Sequence, residues 1–370
     1  MAHLSSFYIP NQILSKSLLT AAMMLAFTSC SNVNDATADP TAATTKTLNL
    51  YNFSEFMPQA VLDGFEDETG IHVNYTTYDS NEAMYAKLKL LDDSSNYDLA
   101  VAATYYVGKM AKEGLLQEID KSKLSNFKNL DTSLLNTTVD PESKYSIPYV
   151  WGSTGLAVNG DAIDPATVNS WSDLWRPEYK GQVMLMNDMR DVFGMALLTL
   201  GYSSNSSNPE EIKSAYNKLT TLTPNVETFN ADAPRMPYLE GETTVGMIWN
   251  GEAVMANDEG LRSLVYKYPT EGAMFWMDTI VIPKNAKNID AAHRFINYIL
   301  RPENGKIISE EIGYASPNLA ARALMNEDKR DDTVIYPTKE TMDNGEFMED
   351  VGDEAIQIYQ QYWDKLKVNR

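Results

Sequence analysis

Three β-rich runs, each followed by a helical period, open the body of this chain and do most to limit what it can fold into. The first, TLNLY from Thr47 to Tyr51, leads to Pro58 at a helix's first turn and then to Val61, Leu62 and Phe65 on one face, with Gly70 as the stop. The second, IHVNYTTY from Ile71, precedes a helix capped by Ser80 or Asn81, on which Met84, Leu88 and Leu91 recur at i, i+4 and i+7. The third, YDLAVAAT from Tyr97 to Thr104, is apolar without alternation, as a buried strand is, and a short helix is expected from Val107 to Gly114. Strands and helices alternating at this spacing build βαβ units and a parallel sheet, so the chain reads as an α/β protein.

A second alternating block runs from about Gly155 to Tyr268, with GLAVN, QVMLMND and TTVGMIWN as its clearest strands and Phe193, Ala196, Leu197 and Leu200 on one helical face. After it come a strand DTIVIP from Asp278, helices from Ile289 to Leu300 and from Pro302 to Glu311, and a last helix that aligns Ile356, Tyr359, Trp363 and Leu366. Two α/β lobes with a cleft between them follow. At 370 residues the chain is long enough for both.

The N-terminus carries a different signal. LLTAAMMLAF, Leu18 to Phe27, follows Lys16 and has the length of a signal-peptide core rather than of a membrane span, so the chain is expected to be exported. Thr28 and Ser29 precede Cys30, the only cysteine, which resembles a bacterial lipoprotein signal with Cys30 as the lipidated residue. Residues 1–29 are thus read as a lipoprotein-type signal peptide and 30–46, polar and rich in Thr, Ala and Asp, as a flexible tether. One cysteine excludes a disulfide framework and any Cys/His metal site.

Ligands of open α/β sheets sit at the carboxyl ends of strands. Those ends hold Phe53 to Phe56, Thr104 and Tyr105, Asn187 to Asp191, and Trp249 with Asn250, while Trp276 and Asp278 share a face of an extended segment. Taken singly, Asp188 and Asp191 read as an N-cap and a first-turn acid, the tryptophans as core, and Glu55 as a helix start. Gathered at cleft-facing loops, they form a set of carboxylates and flat rings without a matching set of bases. Such a set needs a cationic partner in a low-dielectric cleft. A hard metal ion would want six to eight oxygens from a loop such as D-x-D-x-D-G, which is absent, so no metal and no cofactor is expected. An organic cation fits better, because rings attract ammonium groups and cover methylenes. A net charge of −21 argues against nucleic acid as a partner. The chain has no H-E-x-x-H, G-x-S-x-G or P-loop, and of its three histidines His3 lies in the leader while His72 and His293 look structural.

At these residues the chain resembles the spermidine/putrescine-binding proteins of bacterial ABC importers, from Leu48 to Lys367. SNEAMYAKLK, TYYVGKMAKEGLLQEIDKSKL, YSIPYVWGSTGLAVNGDAIDP, SWSDLWRPEYKG, GMIWNGEA, FWMD, IGYASPNLAAR and YPTKET carry the likeness. The resemblance implies a two-lobe type II periplasmic binding protein fold: lobe 1 from 47–150 and 279–370, lobe 2 from 151–278, with crossings near Val150 to Thr154 and Trp276 to Thr279. It implies ligand-facing carboxylates at Glu55, Asp188, Asp191 and Asp278, aromatic walls at Phe53, Phe56, Tyr105, Trp249, Trp276 and Tyr314, and a hydroxyl at Ser54. Relative to spermidine-preferring members, Phe53 and Phe56 replace Trp and Tyr, Asp191 replaces Glu, Met348 replaces Gln, and Ala103 and Ala231 replace serines. Retention of four acids leans toward spermidine over putrescine. The implied protein is a monomeric receptor, not an enzyme, that hands polyamine to a membrane permease and meets the membrane only through its lipid, on the periplasmic side. Rival readings are a polyamine sensor without transport, a secreted carbohydrate-active enzyme using paired acids, and a ferric receptor using Tyr105 and Tyr106.

Overall fold

The computed structural model describes residues 46–91 and 97–368; the expected signal peptide and Cys30 lie outside them, as does all of the tether but Lys46. β1 (Lys46–Phe53), α1 (Gln59–Thr69), β2 (Ile71–Tyr78) and α2 (Asn81–Leu90) follow the sequence pattern closely. α1 buries Val61, Leu62 and Phe65 and ends at Gly70, whose φ of 66° is the left-handed conformation that glycine adopts without cost. Ser80 is the cap of α2: its hydroxyl accepts from the Ala83 amide at 3.2 Å. β3 (Leu99–Ala103) gives way at once to α3 (Thr104–Lys112), which starts three residues earlier than the apolar period from Val107 predicts. Tyr105 therefore sits in the first turn of a helix.

Short β4 (Leu116–Gln117) precedes β5 (Ser146–Asn159), a strand of 14 residues that is buried throughout. β6 (Val183–Met186), α4 (Met189–Thr199), α5 (Pro209–Leu222), β7 (Val226–Asn230), β8 (Val245–Trp249), β9 (Leu264–Lys267), β10 (Met274–Pro283) and short β11 (Glu346–Phe347) complete the sheet and the helices nearest the cleft. The sheet runs β2-β1-β3-β10-β5-β8-β6-β7. β2, β1 and β3 are mutually parallel, and so are β8, β6 and β7, while β5 and β10 run antiparallel to their neighbours at the centre. Each lobe thus has its own parallel set, and β5 and β10 serve both. The run GLAVN is the far end of β5 rather than a strand of its own, and β7 and β9 carry no apolar pattern strong enough to announce them.

The central pair is irregular at one place. Asp278 faces Val150 and Thr279 faces Pro148, so Tyr149 is an extra residue in β5, and its hydroxyl donates to the Phe56 carbonyl at 2.5 Å. A bulge bends and twists a strand and re-aims side chains. It falls within the expected crossing region at 276–279 and one residue before the expected crossing at 150–154.

The last helix, Asp353–Val368, packs on elements of the second parallel set. Its Tyr359 packs on Phe193 of α4, its Tyr362 stacks on Tyr216 of α5, and its Trp363 meets Phe229 of β7. The Tyr359 hydroxyl also donates to the Ser206 carbonyl at 2.6 Å. The apolar stripe read from the sequence is present; its partner is the second parallel set. Among the described residues no helix is long and apolar enough to cross a membrane.

Candidate functional site

A cavity of about 380 Å³ opens where β1, β3 and β8 end and α4 begins against the β5–β10 pair, lined by Phe53, Phe56, Asn81, Ala103, Tyr105, Asp188, Asp191, Trp249, Trp276, Asp278 and Met348. Nine residues singled out from the sequence therefore meet in one space. Ser54, Glu55 and Tyr314 do not line it. Ser54 and Glu55 form the turn between β1 and α1, with Glu55 exposed at a φ of 52° and its carboxylate on Arg235 Nη2 at 2.6 Å. Tyr314 is fully buried behind the wall, 5.2 Å from the rings of both Phe56 and Trp276, and its hydroxyl has no hydrogen-bond partner among the described residues.

The rings form a closed circuit. Phe53 meets Phe56 at 5.5 Å between centroids, Phe56 meets Tyr314, Tyr314 meets Trp276, Trp276 meets Trp249 at 6.2 Å, and Trp249 returns to Phe53 at 6.1 Å. These tilted and edge contacts fix each ring through two others. Because Phe53 ends β1 and Trp249 ends β8, the circuit closes across the cleft between the two parallel sets.

The three acids in the cavity are held differently. Asp188 caps α4 by accepting the Asp191 amide at 3.0 Å, so the cap reading and the cavity reading both hold for it. Asp191 accepts from Thr154 Oγ1 at 2.7 Å and from Trp249 Nε1 at 2.8 Å, one bond to each oxygen. Asp278, buried on β10, accepts no hydrogen bond among the described residues. Burial raises the affinity of all three for a proton, the charge of Asp188 adds to it at Asp191 and Asp278, and Asp278 is pushed up to about 7. Loss of hydration is the largest cause for each, and at Asp278 no positive charge opposes it. A cation that brings donors would remove it.

Sequence reasoning missed four side chains at this site. Asn81 lines the cavity and ties it to the strands, its Oδ1 accepting the Ala103 amide at 3.0 Å and its Nδ2 reaching the Tyr105 hydroxyl at 3.4 Å; it lies just past the end of β2, where the strand-end rule applied once more would have found it. Thr154 donates to Asp191 and accepts from Trp276 Nε1 at 3.2 Å. Arg190, buried between the two α4 acids in sequence, places its guanidinium 5.2 Å from the Tyr105 ring and lowers the proton affinity of Asp188 and Asp191. Glu82 is half-buried beside Tyr106, with its own proton affinity raised by loss of hydration and by Asp188. The acids are therefore not wholly without a base, but one guanidinium stands against four carboxylates. His72 and His293 stand apart from the cavity, the first beside Glu66 and the second accepting the Asp120 amide at 2.9 Å.

Residues 60–337 match the model of the bacterial extracellular solute-binding proteins, and the chain belongs to that family. It is 54% identical over 324 residues to the spermidine/putrescine-binding periplasmic protein of Escherichia coli, covering 88% of this chain and 92% of that one. Among solved structures it resembles the spermidine/putrescine ABC transporter substrate-binding protein PotD of Streptococcus pneumoniae, with a TM-score of 0.73 and 38% identity over 87% of this chain and 99% of the other. The TpPotD lipoprotein of Treponema pallidum matches with a TM-score of 0.77 and 30% identity, over 87% and 99%. The two-lobe type II fold implied by the sequence is the fold of these neighbours.

Proposed function

We propose that this chain is an exported receptor that captures a polyamine between its lobes and delivers it to the permease of an ABC importer. It is a binding protein rather than an enzyme. The observation that carries the ligand class is Asp278: a buried carboxylate with no hydrogen bond from the described residues, facing the same cavity as Asp188 and Asp191 and walled by Phe53, Trp249 and Trp276. An alkylammonium ion, with a pKa of about 10.4, stays charged at neutral pH, supplies three donors and presents methylenes to the rings. Neutralisation of buried carboxylates by such a group removes their desolvation cost without a metal's coordination number.

Contacts from both parallel sets would favour the closed arrangement, a population shift that marks the loaded receptor for the permease. In this reading lobe 1 comprises 47–150 and the segment from 279, lobe 2 comprises 151–278 together with the last helix, and the β5–β10 bulge at Tyr149 is the hinge. The lipoprotein-type signal and the likeness to a treponemal lipoprotein support anchoring through Cys30. Isothermal titration of protein refolded free of carried-over ligand, with spermidine, putrescine and maltose, tests the reading. Micromolar or tighter binding of an amine and none of maltose is expected; silence with both amines would leave the fold without this ligand.

A further inference from the structure

Among the described residues Arg235 pairs with three carboxylates. Its Nη2 meets Glu55 at 2.6 Å, its Nη1 meets Glu252 at 3.0 Å and its Nε meets Glu259 at 2.9 Å, with the side chain only 8% exposed. Glu55 belongs to the turn after β1, while Arg235 follows β7, 180 residues on. Glu252 stands in the helix Asn250–Asp258 directly after β8, two residues beyond the Asn250 that reaches β5 through the Ser153 amide. The contact from Glu55 to Arg235 thus runs from one parallel set to the other, as the contact from Phe53 to Trp249 does, and neither Glu55 nor Arg235 lines the cavity.

This arrangement changes the charge available to a ligand. The strand-end inventory supplies four acids, yet Glu55 is turned out of the lining by its left-handed backbone and is already paired with a guanidinium. Within the cavity each Asp191 oxygen already accepts a bond from the chain. Asp188 and Asp278 keep the most free acceptor capacity.

We propose that Arg235 is a specificity-determining residue that withholds Glu55 from the ligand, so that the cavity selects a two-charge alkyldiamine over a longer triamine. The inference rests on the polyamine reading and reverses the leaning toward spermidine that four acids suggest. Arg235 does this without touching the ligand: it occupies the carboxylate that a third ammonium would need, and it couples lobe closure to a pairing the protein makes by itself.

Titration calorimetry of the wild-type chain, of Arg235→Ala and of the double variant Arg235→Ala with Glu252→Gln, each with putrescine and with spermidine, tests this. The double variant avoids stranding the buried Glu252 charge when its partner is removed. Wild type is expected to bind putrescine more tightly, and both variants to shift the ratio of the two dissociation constants at least tenfold toward spermidine. Adding Glu55→Gln to either variant is expected to cancel that shift. A ratio unchanged in both variants, or a shift that survives Glu55→Gln, overturns the role of Arg235 while leaving a polyamine receptor. Failure of the wild type to bind either amine overturns the polyamine reading and this inference with it.

Discussion

The Thr154 hydroxyl donates to Asp191 Oδ1 at 2.7 Å while accepting from Trp276 Nε1 at 3.2 Å. One small side chain on the central strand β5 thereby orients a carboxylate from α4 and an indole from β10. Thr154→Val keeps the shape and removes both bonds, leaving the indole N–H without its acceptor and Asp191 with a still higher proton affinity. The expected cost is about 1–3 kcal/mol of stability, read by chemical denaturation, together with a several-fold loss of polyamine affinity. A variant that matched the wild type in both measurements would show that the network does not position the site.

Asp278→Asn separates charge from shape. The carboxylate accepts nothing from the described residues, so the amide leaves no bond among them unmade, while the site loses the charge that burial makes costly. Polyamine binding is expected to weaken more than tenfold, and the ligand-free protein is expected to melt at the same temperature or higher at pH 8. Unchanged affinity would remove Asp278 from the ligand contacts.

Much of this site was legible from residues alone, and what escaped had a physical reason. The alternation around Leu48, Val61, Val73 and Leu88 marks elements because burial on one face has a period. The strand-end rule then selects Phe53, Tyr105, Asp188 and Trp249 before any contact is known, and the shared face of an extended segment adds Trp276 and Asp278. Continuous burial hides boundaries, however: SIPYVWGSTGLAVN has no period by which one buried strand crossing two lobes differs from two short ones. Partnerships escape for a similar reason. Ile356, Tyr359 and Trp363 declare an apolar face without naming what it meets, and the meeting of Arg235 with Glu55 is decided by topology.

Gly152 on β5 stands directly opposite Trp276 on β10. A Cβ there would lie 2.5 Å from Asn250 Oδ1 and 2.8 Å from the outer edge of the Trp276 ring, closer than carbon atoms approach without displacement. Since β5 is paired on both sides, the strand holds its place and the ring is what moves. Gly152→Ala is therefore expected to weaken polyamine binding at least tenfold and to shift the tryptophan emission, with a smaller change in melting temperature. An affinity equal to the wild type's would show that Trp276 need not stand where it does.

The acids of the cavity also fix how stability should follow pH. Asp278 holds its proton up to about 7 in the folded protein, whereas an unfolded aspartate releases it near about 3.9. Between those values the native state binds more protons than the unfolded one. The stabilisation is complete below about 4 and is lost as pH rises through 7. Glu252, raised to about 7 by burial, and the α4 acids act in the same direction. The ligand-free protein is thus expected to melt at a lower temperature at pH 8 than at pH 6. A polyamine prefers the ionised acids and offsets the loss, so its affinity should rise over the same interval and the bound protein should melt with a shallower pH dependence. Thermal melts from pH 5 to 8.5, with and without putrescine, measure both slopes. In Asp278→Asn the difference between them should shrink; an identical difference in that variant would mean that the proton sensed near neutrality belongs to another group.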